Sequence, residues 1–329
     1  MYSWNVLIFA RTVITVGTLL FGSFAAQAQS YTWENYNVIT FGDFSTASFV
    51  EGRTLVGGNL YGANSPSFAT NMPSGTSATD RTLVVGGFIS GGNPMNLDKG
   101  SLYLGGSTNG RIINYNGGQG AGKVTESIDL AALKQSFISE SANFKAMATD
   151  STVIVPTNGQ PGPVVFNANP GSDGVAVFSI SADAIFGNDK AQSYDLNPNG
   201  ASSVVINVSG SSINWIQNAG NMVNNLIKDE WEAKIVWNFY EATTLNFGSH
   251  NFHGAILAPK AAMSTSARFD GTVIVDSLST TADIHLPTSG SATSYAGFRL
   301  QAVPEPGSPL LVMVAGVILL VRRRSQLRR

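Results

Sequence analysis

The stretch Phe252-His253-Gly254-Ala255-Ile256-Leu257-Ala258 is echoed seventeen positions later by Phe269-Asp270-Gly271-Thr272-Val273-Ile274-Val275. An aromatic residue, a polar residue, a glycine and an apolar run recur in one order, which predicts two stacked coils of a parallel solenoid. In such coils equivalent strands lie over one another, so Gly254 and Gly271 mark the same corner. Phe252 and Phe269 should then stack with Cα atoms about 4.7–4.9 Å apart, and His253 and Asp270 should be neighbours. Ala242-Thr243-Thr244-Leu245, Ala261-Ala262-Met263 and Ala282-Asp283-Ile284 are expected to build a second face of these coils.

Working outward, the N-terminal half carries a looser version. Thr54-Leu55-Val56-Gly57-Gly58, Thr82-Leu83-Val84-Val85-Gly86-Gly87 and Ser101-Leu102-Tyr103-Leu104-Gly105-Gly106 each read as a short apolar strand ended by a glycine pair. The Ser-, Thr-, Asn- and Pro-rich segment 62–80 reads as a loop between the first two. Segment 125–148 has neither Gly nor Pro. Leu130, Leu133, Phe137, Phe144 and Ala148 share one helical face there, with Ser127 as N-cap and Asp129 in the first turn. One long helix lying along the solenoid is the expected arrangement. Strands are expected at 152–155, 163–166, 175–180, 204–208 and 235–239, and a short helix at 221–231.

Both ends look like addresses rather than fold. Arg11 precedes an apolar run, and Ala26-Gln27-Ala28 supplies the small-x-small pattern of signal-peptide cleavage, with Ala26 and Ala28 as the small residues. At the other end come Val303-Pro304-Glu305-Pro306, an apolar run over 309–321, Arg322-Arg323-Arg324 and Arg328-Arg329. As a helix that run spans about 20 Å, short for a hydrocarbon core of about 30 Å, and the arginines would be held on the cytoplasmic side. The pattern resembles the PEP-CTERM sorting signal. The resemblance implies that an exosortase-type enzyme recognises Pro304, Glu305 and Pro306 while the segment is transiently in the membrane, and cuts nearby. The expected organisation is a signal peptide 1–28, a solenoid domain 29–286, a linker 287–302 and a sorting signal 303–329.

Between these ends there are 13 basic and 20 acidic residues, about −7 in net charge. This disfavours nucleic acid or an anionic membrane as partner. There are no cysteines, so no disulfides staple the exported domain. Only 12% of residues are charged and Gly reaches 35 copies, the profile of a turn-rich β protein.

Tyr36-Asn37-Val38-Ile39-Thr40-Phe41-Gly42-Asp43-Phe44-Ser45 with Val50-Glu51-Gly52-Arg53-Thr54-Leu55-Val56-Gly57-Gly58-Asn59-Leu60 resembles the opening of the choice-of-anchor A domain. Phe252 to Pro259, Asp270 to Val275 and Ile284-His285 resemble its closing part. That resemblance implies a surface-anchored adhesive module of bacteria. The closing coils also resemble β-helical ice-binding proteins, which pack a long helix beside a three-faced solenoid. The fold class expected is therefore mostly β, a right-handed parallel β-solenoid with one long α-helix packed alongside.

The residues offer little chemistry. His250, His253 and His285 are all the histidines. A metal needs three or more converging ligands, and three residues apart on a strand His250 and His253 point to opposite faces, so no metal site is expected. A His253–Asp270 contact is expected to be structural. The glycine pairs match no phosphate loop, no serine sits in a nucleophile elbow, and no paired carboxylates stand out, so neither catalytic residues nor cofactors are expected. Asp43, Asp270 and Asp283 lack calcium-loop spacing. Tyr103, Trp215, Trp237 and Tyr240 are either a carbohydrate-stacking surface or core, core being the commoner fate. Ser264-Thr265-Ser266 and Thr243-Thr244 fall short of a regular ice-binding threonine ladder. The expected function is an exosortase-sorted adhesin or structural protein of the cell envelope or biofilm matrix, with exopolysaccharide or another surface glycan as candidate ligand. A polysaccharide-acting enzyme and an ice-binding protein are the alternatives. Acids or bases gathered in a groove favour the enzyme, and a flat polar or aromatic face favours the adhesin.

Overall fold

Short apolar strands punctuated by glycine bury their side chains only by stacking on copies of themselves, and this is what the chain does. A computed structural model describes residues 31–123, 128–157 and 159–287. It is mostly β, with parallel sheets and few helices, and is β-helix-like. The longest sheet places ten segments side by side. Gly118–Lys123, Gly100–Leu104, Arg81–Val85, Thr54–Val56 and Val38–Thr40 form one half. Val273–Thr280, Ala255–Thr265, Ile235–Asn238, Ser203–Ser209 and Val175–Ser181 continue it in that order.

That order is not the order of the chain. Val38 pairs with Thr54 on one side and with Val273 on the other, so the first described strand lies in the middle of the sheet. From there the chain coils out to one edge, restarts at the opposite edge with Val175–Ser181, and coils back to meet that first strand. The echo in the sequence is a true register: Phe252 pairs with Phe269 and His253 with Asp270. The two phenyl rings stack 5.6 Å apart with planes 5° from parallel. Gly271 has a φ of +148° and its Cα faces the Gly254 carbonyl, so a β-carbon there meets backbone. The N-terminal glycine pairs also stack, Gly86 against the Gly57 carbonyl and Gly105 against that of Gly86.

The helix is Leu130–Ala146, shorter than expected at both ends. Asp129, rather than Ser127, caps it by accepting from the Ala132 N–H at 2.9 Å; Ser127 lies outside the described residues. Met147 is already extended, which leaves Ala148 exposed beyond the helix. Phe137 and Phe144 are buried in an apolar layer with Ile39, Val205, Val236, Leu257 and Ile274 from the outer side of the long sheet. Leu130 and Leu133 lie at its margin. Buried polar groups bind the helix in place. Ser141 Oγ donates to Asn238 Oδ1 (2.6 Å), Asn238 Nδ2 donates to the Ser141 carbonyl (2.9 Å) and to Asn207 Oδ1 (2.7 Å), and Asn207 Nδ2 donates to the Phe144 carbonyl (2.8 Å).

Four other expectations need correction. Ala282-Asp283-Ile284 does not continue the second face. Met263 pairs with Leu278 there, whereas Ile284 pairs with Phe269 in the third face, because the chain needs only residues 277–280 to cross the second face. Segment 62–80 is not all loop, since Ser67–Phe68 is a strand whose Phe68 side chain stacks between those of Val50 and Leu97 in the core. Segment 221–231 is broken into the strand Asn221–Met222, a 3-10 turn Asn224–Ile227 and the one-turn helix Asp229–Glu232. Thr152–Ile154 runs antiparallel to Gly162–Asn167, an exception to the parallel rule.

Candidate functional site

Two sets of polar side chains stand in register on the coils. The first lies on the second face of the coils, where period-2 alternation sends one rank inward and one outward. The inward rank is Ile213, Leu245, Met263, Leu278, Phe44, Leu60 and Ile89, all buried. Beside it the outward rank runs Asn214, Asn246, Ser264 and Ser279, which are exposed, and then Ser45, Tyr61 and Ser90, which are half-buried. Seven rungs at about 4.8 Å make a stripe about 29 Å long. It carries hydroxyls and amides and no charge. Asn246 Nδ2 donates to Asn214 Oδ1 (2.9 Å), Ser264 Oγ to Asn246 Oδ1 (3.3 Å), and in the parallel outer rank Thr244 Oγ1 to Ser212 Oγ (2.9 Å). These bonds hold the side chains upright while leaving lone pairs and N–H groups for a ligand. Three other threonines turn inward. Thr46, Thr265 and Thr280 are buried at the corner, and the last two donate to the carbonyls of Ala267 and Ala282.

The second set is a column of charge on the third face. Its register runs His253, Asp270, His285, with Glu51 following Val50, the partner of Ile284. Glu232, at the end of its one-turn helix, joins from the side. His253 Nδ1 lies 2.9 Å from Glu232 Oε1 and 3.5 Å from Asp270 Oδ2. Asp270, 2% exposed, also takes Arg268, whose Nη2 is 2.6 Å from Oδ1. His285 Nδ1 lies 2.9 Å from Glu51 Oε1, and Asp283 Oδ2 lies 3.9 Å from His285 Nε2.

The two glutamates are shifted in opposite directions. Burial pushes the Glu232 carboxyl above the usual range; the His253 hydrogen bond opposes this and the Asp270 charge adds to it. Burial also works against ionised Glu51, but hydrogen bonds from His285, the Leu286 N–H and Asn71 together outweigh it and hold that carboxyl low. Arg268 is raised, chiefly by its hydrogen bonds to Asp270.

The third histidine is elsewhere. His250 stacks on Trp215 (4.4 Å, 10°) and meets the Ile216 carbonyl and Asn221 through its two nitrogens, and burial pushes its pKa down. Trp215 and Trp237 are core. Tyr103 lies under Arg81 and Tyr240 under Lys145, so these four aromatics form no common surface. Asp43 caps the Asn59 N–H (2.7 Å), and Asp283 accepts from Ser48. Glu232 carries no sign of its role in the sequence, because nothing in its local pattern ties it to a histidine twenty-one residues on. Arg111 was equally hidden: it is buried and donates to the carbonyls of Asn93, Ser90 and Asn64. Ala26, Ala28, Pro304, Glu305, Pro306, Arg322, Arg323 and Arg324 lie outside the described residues, as do the linker beyond Pro287 and the sorting signal. Among the described residues no helix is long and apolar enough to cross a membrane.

The family model described as "Putative Ice-binding-like adhesive domain" matches residues 31–286. No curated protein and no solved structure matches the chain.

Proposed function

This chain belongs to the ice-binding-like adhesive domain family, and from that premise we propose that it is an exported bacterial surface protein that holds glycan without turning it over. The observation that carries this reading is the uncharged hydroxyl and amide stripe from Asn214 to Ser90 on an open face of the coils. Sugars present the same groups, and a flat, spaced array of donors and acceptors meets an extended polysaccharide along its length. We take the coils to be right-handed, the sense parallel crossovers nearly always adopt. By its resemblance to choice-of-anchor A proteins the module is anchored at the surface. The N-terminal segment directs export, and an exosortase-type enzyme removes the chain beyond about Pro306 after transient membrane insertion. Intact-mass measurement of surface material tests the processing step, and a chain still ending at Arg329 would refute it.

The binding step is tested on a glycan array, with released sugar ends assayed in parallel. Asn246→Arg and Ser264→Arg place bulk and charge on the stripe without touching the core. The expected result is glycan retention without sugar release, lost in both variants at unchanged melting temperature. Retention equal to that of the unaltered protein removes the stripe from the site. Release of sugar ends replaces the adhesin with an enzyme, for which the carboxylates beside His253 are the place to look.

A further inference from the structure

Glu232, His253 and Asp270 reach one point from three separate segments: the helix Asp229–Glu232 and the strands Phe252–His253 and Phe269–Asp270. One ligand atom from each lies within 4.8 Å of the other two, with two of the separations at 2.9 and 3.5 Å. Atoms bound to one ion at about 2.0–2.2 Å stand roughly 3.0–3.5 Å from each other, so His253 Nδ1 is near coordination spacing from both carboxylates, which lie within 4.8 Å of each other.

Hydrogen bonding alone serves this arrangement poorly. A neutral imidazole offers at most one N–H at Nδ1, yet two carboxylates, 4% and 2% exposed, face that nitrogen. Arg268 balances one of them, gripping Asp270 through Nε (2.8 and 2.9 Å) and Nη2. The second carboxylate, that of Glu232, competes for the same Nδ1 that Asp270 faces. The neighbouring trio makes the contrast. His285, Glu51 and Asp283 are the same residue types, but Glu51 meets Nδ1 and Asp283 meets Nε2, so nothing converges. Glu51 is also served by Asn71 and the Leu286 N–H.

We propose that Glu232, His253 and Asp270 form a binding site for a divalent transition metal of the Zn2+ class. One imidazole and two carboxylates suit that class of ion, and three protein ligands leave a position for water. Arg268 keeps its hold on Asp270 Oδ1 and so orients the carboxylate, the usual arrangement for a ligating group. The ion displaces a proton from the site and ties two coils to the one-turn helix. This proposal is independent of glycan binding.

The test uses tag-free full chain treated with a chelator and then titrated with ZnCl2 by calorimetry, with CoCl2 as a spectroscopic probe. Expected are one ion per chain, a visible d–d band for bound Co2+, and a melting temperature that rises with Zn2+ concentration. Glu232→Gln, which keeps the shape of the side chain, and Asp270→Asn should each weaken binding by more than the 10–100-fold typical of losing an outer partner. His285→Ala should bind as the unaltered protein does. If Asp270→Asn fails to fold, Glu232→Gln and the Co2+ spectrum decide alone. Absence of both heat and band in the unaltered protein overturns the site. So does full affinity in Glu232→Gln, or binding that is lost with His285→Ala.

Discussion

Replacing Phe269 by alanine removes a ring that is 1% exposed and stacked on Phe252 at 5.6 Å. Truncating a buried phenylalanine costs about 3–5 kcal/mol, the spread reflecting how far the surroundings collapse into the hole. Collapse is restricted here. The Phe269 N–H is held by the Asp283 carbonyl (3.0 Å) and the Phe252 N–H by that of Arg268 (3.1 Å), so the strands on either side cannot close the gap. The upper half of the range is therefore expected, a large share of a total stability of about 5–15 kcal/mol. Urea denaturation followed by tryptophan fluorescence measures it. A cycle with Phe252→Ala should show about 0.5–1.5 kcal/mol of coupling from the stacked pair. Ser279→Ala, on the open face, should stay within about 0.5 kcal/mol. A loss below about 1 kcal/mol for Phe269→Ala, or strict additivity in the cycle, would refute the stacked-coil argument.

Asn238→Ala strips partners from Ser141 and Asn207 beneath the helix. At about 1–3 kcal/mol for each buried polar group left unsatisfied, it should cost about 2–5 kcal/mol, read by the same denaturation, while Asn246→Ala on the open face costs little. Arg111→Ala deprives three carbonyls of their donor and should cost about 2–4 kcal/mol, with amide exchange rising first around Asn64, Ser90 and Asn93. The two glutamates give pH dependences of opposite sign. Glu51, held low, lends stability that is present above about pH 4.3, the ordinary glutamate value, and is lost as pH falls through its folded value. Glu51→Gln should therefore flatten the acid limb of a melting-temperature profile. Glu232, held high, favours the fold while protonated and withdraws that contribution as pH rises through its folded value. In metal-free protein Glu232→Gln should remove that decline.

How much of this was legible depended on whether the cause was local. The seventeen-residue echo specified a register because an aromatic, a polar residue and a glycine must each meet their own kind in the next coil, and Phe252, His253 and Gly254 do. The Gly-Gly strands were legible for the same reason. Where the determinant is remote, the pattern is silent. Ser141 sits on a helical face read only for apolar residues, yet it is buried because Asn238, ninety-seven residues away, needs a partner. Asp129 displaced Ser127 as cap by geometry that composition does not rank. Glu232 reaches His253 only because the chain between them makes one turn of the coil.

The mid-sheet position of the first described strand, Val38–Thr40, bears on the polar stripe and the charged column alike. Val38 lies on Val273, and Val50 lies on Ile284, so the N-terminal coils dock on the last C-terminal ones. The polar stripe crosses that seam, passing from Ser279 to Ser45. So does the charged column, where Glu51 reaches His285. Neither half of the chain therefore owns the whole open face: Ser264 and Asn246 come from one, Tyr61 and Ser90 from the other. A ligand lying along the full stripe contacts both halves and favours the docked state over the open one by its own differential affinity. On the glycan-binding reading proposed above, binding of an extended glycan would therefore be coupled to docking of the two halves, and a sugar too short to cross from Ser279 to Ser45 would lose that coupling.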